Sequence, residues 1–163
     1  SGIYRKKIVP RNFPHTKCRP CGNCRHIIVY HRISRRRHHD EMWASGKVTS
    51  SMTEKEKAIA YYMWFTSNCQ YGDETNYDME AWMAHNEYGP LVIGHGVCEG
   101  LSKAYKRLLD YEGIYCEFIP VLERNHAYNA VTLDGVYYKE VDVTGIAPAL
   151  RTEVATNANS NMN

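Results

Sequence analysis

The chain has 163 residues, 44% of them apolar, with 20 Lys/Arg against 18 Asp/Glu and a balance of +2. That length suits one domain with a modest core, and the lack of any run of about 18 apolar residues excludes a membrane-spanning helix. The near-neutral total hides two unlike parts: residues 1–50 carry 12 Lys/Arg and 2 acids, whereas residues 51–163 carry 8 and 16.

The six cysteines also divide, with Cys18, Cys21 and Cys24 crowded together and Cys69, Cys98 and Cys116 spread along the acidic part. This is not the spacing of a disulfide framework. Zinc takes four thiolate or imidazole ligands, and Cys18 and Cys21 can supply two from one turn. Cys24 with His15 or His26 can complete a tetrahedron, so a structural zinc is one reading of the segment. No second such pair lies downstream, and thiols of a flexible or partly disulfide-linked leader are the other reading. From Arg25 to Ile33 the alternation of Ile27, Val29, His31 and Ile33 with their neighbours suits a half-buried strand. The run from Arg35 to His39 then reads as a solvated basic arm able to meet an acidic partner. Only Tyr30 lies near it and no nucleic-acid fold signature surrounds it, so nucleic acid is not the expected partner. Ala44 to Ser51 has the small, polar composition of a linker. It sets a boundary between a leader over 1–50 and a domain over 51–145, with a polar tail over 146–163.

Thr53 and Glu56 make a capping box for a helix with Ala58, Ile59, Tyr62, Met63 and Phe65 on its apolar side, ending near Gly72. Asp73 to Asp78 is turn-rich and lacks the register of a calcium loop. Met79 to His85 predicts a short helix that leads through Gly89-Pro90 to Gly96-Val-Cys98-Glu-Gly100. Beyond it Leu101, Ala104, Tyr105, Leu108 and Leu109 form one face of an amphipathic helix that Gly113 closes. Cys98 thus falls in a first helical turn, where unpaired N–H groups and the positive end of the dipole favour a thiolate.

Ile114 to Leu122 predicts a strand with Cys116 as a buried structural thiol. His126 to Leu133 and Val136 to Thr144 predict a hairpin around Asp134-Gly135. Side chains alternate along strands, so the loop length decides whether His126 and Asp142 share a face. A two-residue loop pairs Leu133 with Val136 and sets His126 opposite Val143. A three-residue loop with a glycine bulge pairs Thr132 with Val136 and sets His126 across from Asp142. The second arrangement is the expectation, with Asp142 accepting from His126 Nδ1 and leaving Nε2 for the thiol.

A thiol at a helix N-terminus, a histidine and an acid match the logic of a nucleophile, its base and the group that orients the base. Gly96-Val-Cys98-Glu-Gly100 with its helix, His126-Ala-Tyr-Asn129, and Tyr137 to Thr144 together resemble the core of the transglutaminase-like superfamily in its bacterial form, over roughly residues 52–145. The resemblance implies an α+β, papain-like unit, with N-terminal helices and a central cysteine-bearing helix packed on an antiparallel sheet. It also implies Cys98, His126 and Asp142 as the catalytic triad. Tyr128 stands where these proteins often have tryptophan, and Gly145 where another aromatic is common. No glutamine lies just ahead of Cys98 to complete an oxyanion site, which leaves Tyr71, Trp82 and Tyr128 as the candidates for oxyanion or groove.

The expected activity is cysteine-dependent acyl transfer or amide hydrolysis on a protein or peptide substrate through a thioester, with peptidase or deamidase action favoured over cross-linking. No cofactor is required for that step. The alternative is a non-catalytic binding module whose basic, metal-bearing first third docks an acidic partner. Localisation stays open, with a lean to a secreted or cell-surface setting in a bacterium.

Overall fold

The computed structural model describes residues 36–144, so the knuckle residues Cys18, Cys21, Cys24, His15 and His26, the Ile27–Ile33 run and the polar tail lie outside the described residues. Residues 36–44 are helical (α1). They are followed by α2 (Glu54–Asn68), a two-residue strand β1 (Gln70–Tyr71), α3 (Ala81–Ala84) and a π-helical turn at Gly89–Ile93. After these come β2 (His95–Gly96), α4 (Cys98–Tyr111), β3 (Cys116–Val121), β4 (His126–Leu133) and β5 (Val136–Val141). The fold is α+β: β3, β4 and β5 form an antiparallel sheet in that order, and β1 and β2 form a separate parallel pair.

The reading of Arg35 to His39 as a solvated arm holds for Arg36 and Arg37, which are exposed, but not for the two histidines. His38 and His39 are buried, and Met42 and Val48 belong to the same core cluster as Tyr61, Phe65 and Tyr105. The reason is a buried carboxylate. Glu112, the C-cap of α4, has a side chain only 3% exposed, and it faces His39 Nε2 at 2.9 Å and accepts from Lys57 Nζ at 3.0 Å. Trp43 Nε1 and Tyr61 Oη donate to it at 2.6 and 2.5 Å. A buried charge without partners costs several kcal/mol, so the four donors hold α1 and α2 to the end of α4. Charge composition shows nothing of this, because the basic run and its acidic partner lie far apart in sequence.

The capping box of α2 forms in both directions: Glu56 N donates to Thr53 Oγ1 at 3.2 Å and Thr53 N to Glu56 Oε2 at 2.8 Å. The next free N–H groups, of Glu54 and Lys55, donate to the Asp134 carboxylate at 3.1 and 3.2 Å, and Asp134 N returns a bond to Glu54 at 2.7 Å. The tip of the β4–β5 hairpin therefore caps α2. The helix stops at Asn68 rather than near Gly72, because Gln70 and Tyr71 turn away to pair with His95 and Gly96. Tyr61 replaces Met63 on its buried side; Met63 is exposed. In α4 the five apolar positions at helical spacing are all buried, and Gly113 ends the helix with φ of 72°.

Candidate active site

Cys98 is the first residue of α4 and is 8% exposed. Its N-cap, Val97, offers no side-chain acceptor to the first-turn N–H groups. The approach is close-packed. A Cβ on Gly100 would come within 2.1 Å of the Ala84 carbonyl oxygen, and Val97 N donates to that same oxygen at 3.1 Å. Glycine at 100 lets α3 cross the first turn of α4 and brace the residue before the thiol.

The β1–β2 pair puts Tyr71 beside the cysteine, since Tyr71 registers with Gly96, two residues ahead of Cys98. Tyr71 is 44% exposed, but its hydroxyl interacts with the Cys98 side chain and backbone N–H. Burial first, then the negative charge of Cys98 and, more weakly, of Asp142 raise the Tyr71 pKa above its ordinary value, which keeps the hydroxyl protonated. This one oxygen is therefore in electrostatic reach of both Cys98 and Asp142. The other two described thiols are different: burial pushes both Cys69 and Cys116 up to about 12, as suits inert core cysteines.

His126 Nε2 lies 2.6 Å from Asp142 Oδ2. Asp142 is 2% exposed, and its other oxygen accepts from Thr144 N at 2.9 Å and Thr144 Oγ1 at 2.7 Å. The pair forms, but not by the expected route. The loop has two residues: Leu133 pairs with Val136, and Asp134 and Gly135 both take positive φ, 51° and 81°, the signature of a type I′ turn. That register alone would put His126 and Asp142 on opposite faces. A bulge corrects it. Between the Val131–Tyr138 and Asn129–Val141 pairs, β5 carries one more residue than β4, so Lys139 and Glu140 together stand against Ala130. The shift returns Asp142 to the face of His126. The ring orientation is also corrected, because Nε2 meets the carboxylate and Nδ1 is left free. Cys98 and His126 are not hydrogen-bonded to each other.

Ser102 and Asn129 form a second buried polar group that the sequence reading missed. Ser102 Oγ donates to Ala127 O at 3.1 Å, and Asn129 Nδ2 donates to Ser102 O at 3.0 Å and to Glu117 O at 3.1 Å. Both side chains are fully buried. A signal was present: each is a lone polar residue on an otherwise apolar face, Ser102 beside Leu101 and Tyr105, and Asn129 between Ala127 and Val131. His95 was missed as well. Its ring stacks on Tyr77 at 3.7 Å, its Nδ1 is buried without a hydrogen-bond partner, and burial lowers its pKa, so the ring is neutral at ordinary pH.

The remaining candidates lie as follows. Trp82 is half-exposed, stands 5.5 Å from the Tyr88 ring, and gives its indole N–H to Glu80 at 2.6 Å, so that proton is committed away from the thiol. Tyr128 is half-buried on β4 opposite Ile119, two residues from His126. No cluster of three or more His, Cys, Asp or Glu side chains suited to a metal occurs among the described residues. No helix among them is long and apolar enough to cross a membrane.

No protein-family model and no curated protein matches this sequence. Among solved structures the chain is similar to one described as "Crystal structure of a TGase", a transglutaminase, with a TM-score of 0.56 and 16% identity over 84% of this chain. This chain covers 35% of that one. At that identity the likeness is one of fold.

Proposed function

We propose that the protein is a cysteine-dependent acyltransferase or amide hydrolase acting on protein or peptide substrates through Cys98, His126 and Asp142. The observation that carries this reading is the 2.6 Å His126–Asp142 contact with its aspartate buried, set in electrostatic reach of the tyrosine that flanks Cys98. A histidine held on one ring nitrogen by a carboxylate presents the other in a fixed tautomer.

In this mechanism the Cys98 thiol gives its proton to His126 Nδ1, and the thiolate attacks the carbonyl carbon of a glutamine carboxamide or a peptide. The C–S bond forms as the carbonyl π pair moves to oxygen, and in this reading the Cys98 N–H exchanges its contact with the Tyr71 hydroxyl for that oxyanion, with the protonated Tyr71 hydroxyl as a second donor. Collapse of the adduct breaks the C–N bond, and His126 Nδ1 gives its proton to the departing ammonia or amine. Water or an amine, deprotonated by His126, then attacks the thioester carbonyl, the C–S bond breaks, and the proton held by His126 returns to the departing sulfur. Hydrolysis is favoured over cross-linking in this reading, and the assay with and without a primary amine decides between them.

Two measurements test the reading. Iodoacetamide at about pH 6 should label Cys98 ahead of Cys69 and Cys116, and His126→Ala should remove that selectivity. Equal labelling of all three thiols, or selectivity unchanged in the variant, points instead to the binding-module alternative. Incubation with glutamine peptides, with and without a primary amine, then separates the outcomes: ammonia release alone marks a deamidase, amine incorporation a cross-linker, and chain cleavage a peptidase.

A further inference from the structure

We infer that Ser102 and Asn129 are positioning residues that set the placement of Cys98 relative to His126, an assignment that rests on the reading of those two residues as partners. Ser102 is four residues along α4 from Cys98, one helical turn, and Ala127 and Asn129 are one and three residues along β4 from His126. The bonds run both ways. Ser102 donates from its hydroxyl to the β4 backbone and receives at its own carbonyl from Asn129, whose second N–H continues to Glu117 on β3. Helix, central strand and neighbouring strand are thus joined at one buried point beside the candidate site.

Packing alone would not fix this geometry. The rest of α4 meets the core through Leu101, Tyr105, Leu108 and Leu109, and apolar burial is non-directional, so it tolerates sliding and rotation of a helix over a sheet. Hydrogen bonds restrict both angle and distance. Two polar side chains in a fully buried layer are also a poor choice for stability, because apolar residues of similar size would need no partners. Asn129 Oδ1 is left without a hydrogen-bond partner, which a purely stabilising network would avoid. These residues make sense as a fixed alignment of the nucleophile's helix on the base's strand.

The test compares Ser102→Ala, Asn129→Leu and the hydroxyl-retaining Ser102→Thr in two assays, with melting curves confirming that each variant folds. In the first, Cys98 alkylation is followed against pH; Ser102→Ala and Asn129→Leu should lower the rate about tenfold near pH 6 and leave it unchanged near pH 10, where a thiol of ordinary pKa ionises without help from a histidine. Ser102→Thr should follow the parent. In the second, His126→Cys is added and the rate of bridging to Cys98 by a short dihaloacetone is read by peptide mapping; it should fall several-fold with Ser102→Ala and recover with Ser102→Thr. Bridging and alkylation that match the parent in folded Ser102→Ala and Asn129→Leu chains would overturn the assignment. If bridging slows while the parent Cys98 shows no excess reactivity at pH 6, the alignment stands and the proposed chemistry fails. Should Asn129→Leu not fold, Ser102→Ala decides alone.

Discussion

The two ends of α4 are built on opposite plans. At the N-terminal end, Val97 supplies no side-chain cap, and the side chain that meets the first-turn donor of Cys98 is that of Tyr71, from outside the helix. At the C-terminal end, Glu112 places a negative charge where the helix dipole disfavours one, and four side chains from α1 and α2 converge on it. One end is left incomplete and braced from outside by α3; the other is saturated. A single helix can carry a reactive group because the groups that anchor it lie a full length away.

Substitutions at each end should separate the two roles. The largest effect belongs to the open end. Cys98→Ala should reduce turnover of a glutamine peptide by about 10²–10⁴-fold or more, with the melting temperature nearly unchanged. His126→Ala should do the same while also lowering the melting temperature, because it leaves the buried Asp142 without its Oδ2 partner. At the sealed end Glu112→Ala leaves His39, Lys57 and the two aromatic donors without their acceptor. It should lower unfolding free energy by about 3–5 kcal/mol in denaturant titration, while Cys98 keeps its labelling selectivity in the fraction that remains folded. Loss of selectivity there would mean that the two ends are coupled.

Acid should reveal the same end. Burial works to raise the Glu112 pKa, but the hydrogen bonds from Tyr61, Trp43 and Lys57 outweigh it, and the net shift is downward from 4.5. The stabilisation is therefore complete above the unfolded-state value and is lost as the pH falls through the lowered folded-state value. Stability measured from pH 6 down to about 3 should decline, and Glu112→Gln should flatten that decline. A smaller effect is expected from Gly100→Ala, which drives a methyl against the Ala84 carbonyl and should cost about 1–3 kcal/mol together with some Cys98 selectivity. Smallest is Trp82→Ala, on an exposed ring, with less than about 0.5 kcal/mol of stability lost; a rise in KM with kcat unchanged would place that ring on the substrate path.

Much of the scaffold could be read from the residues, because it follows from local rules. The α2 capping box, the buried stripe of α4, the extent of β4 and the Asp-Gly turn each depend on a few neighbouring positions. What could not be read depended on distant partners. His38 and His39 look like solvated charge until Trp64 and Glu112 are placed beside them. The β1–β2 pair has two residues in each strand, too few for any alternation to show, yet it brings Tyr71 to Cys98. The bulge leaves no mark in Lys139 or Glu140, which are ordinary strand-surface residues. The pairing of His126 with Asp142 was anticipated, but from a loop length and a ring orientation that both differ from those observed.

The β4–β5 hairpin answers to two separate demands. Its tip must present the Asp134 carboxylate to Glu54 and Lys55, which the two-residue turn achieves, and its base must bring Asp142 to His126. With a uniform ladder these demands conflict by one residue, and the extra residue of β5 absorbs the difference. The surplus is confined to Lys139 and Glu140, where the ladder takes it up without moving either end of the hairpin. Lys139 and Glu140 should accept many substitutions, and deleting either one should leave a regular ladder that still pairs Leu133 with Val136 and Asn129 with Val141, so that both the α2 cap and the His126–Asp142 contact are kept.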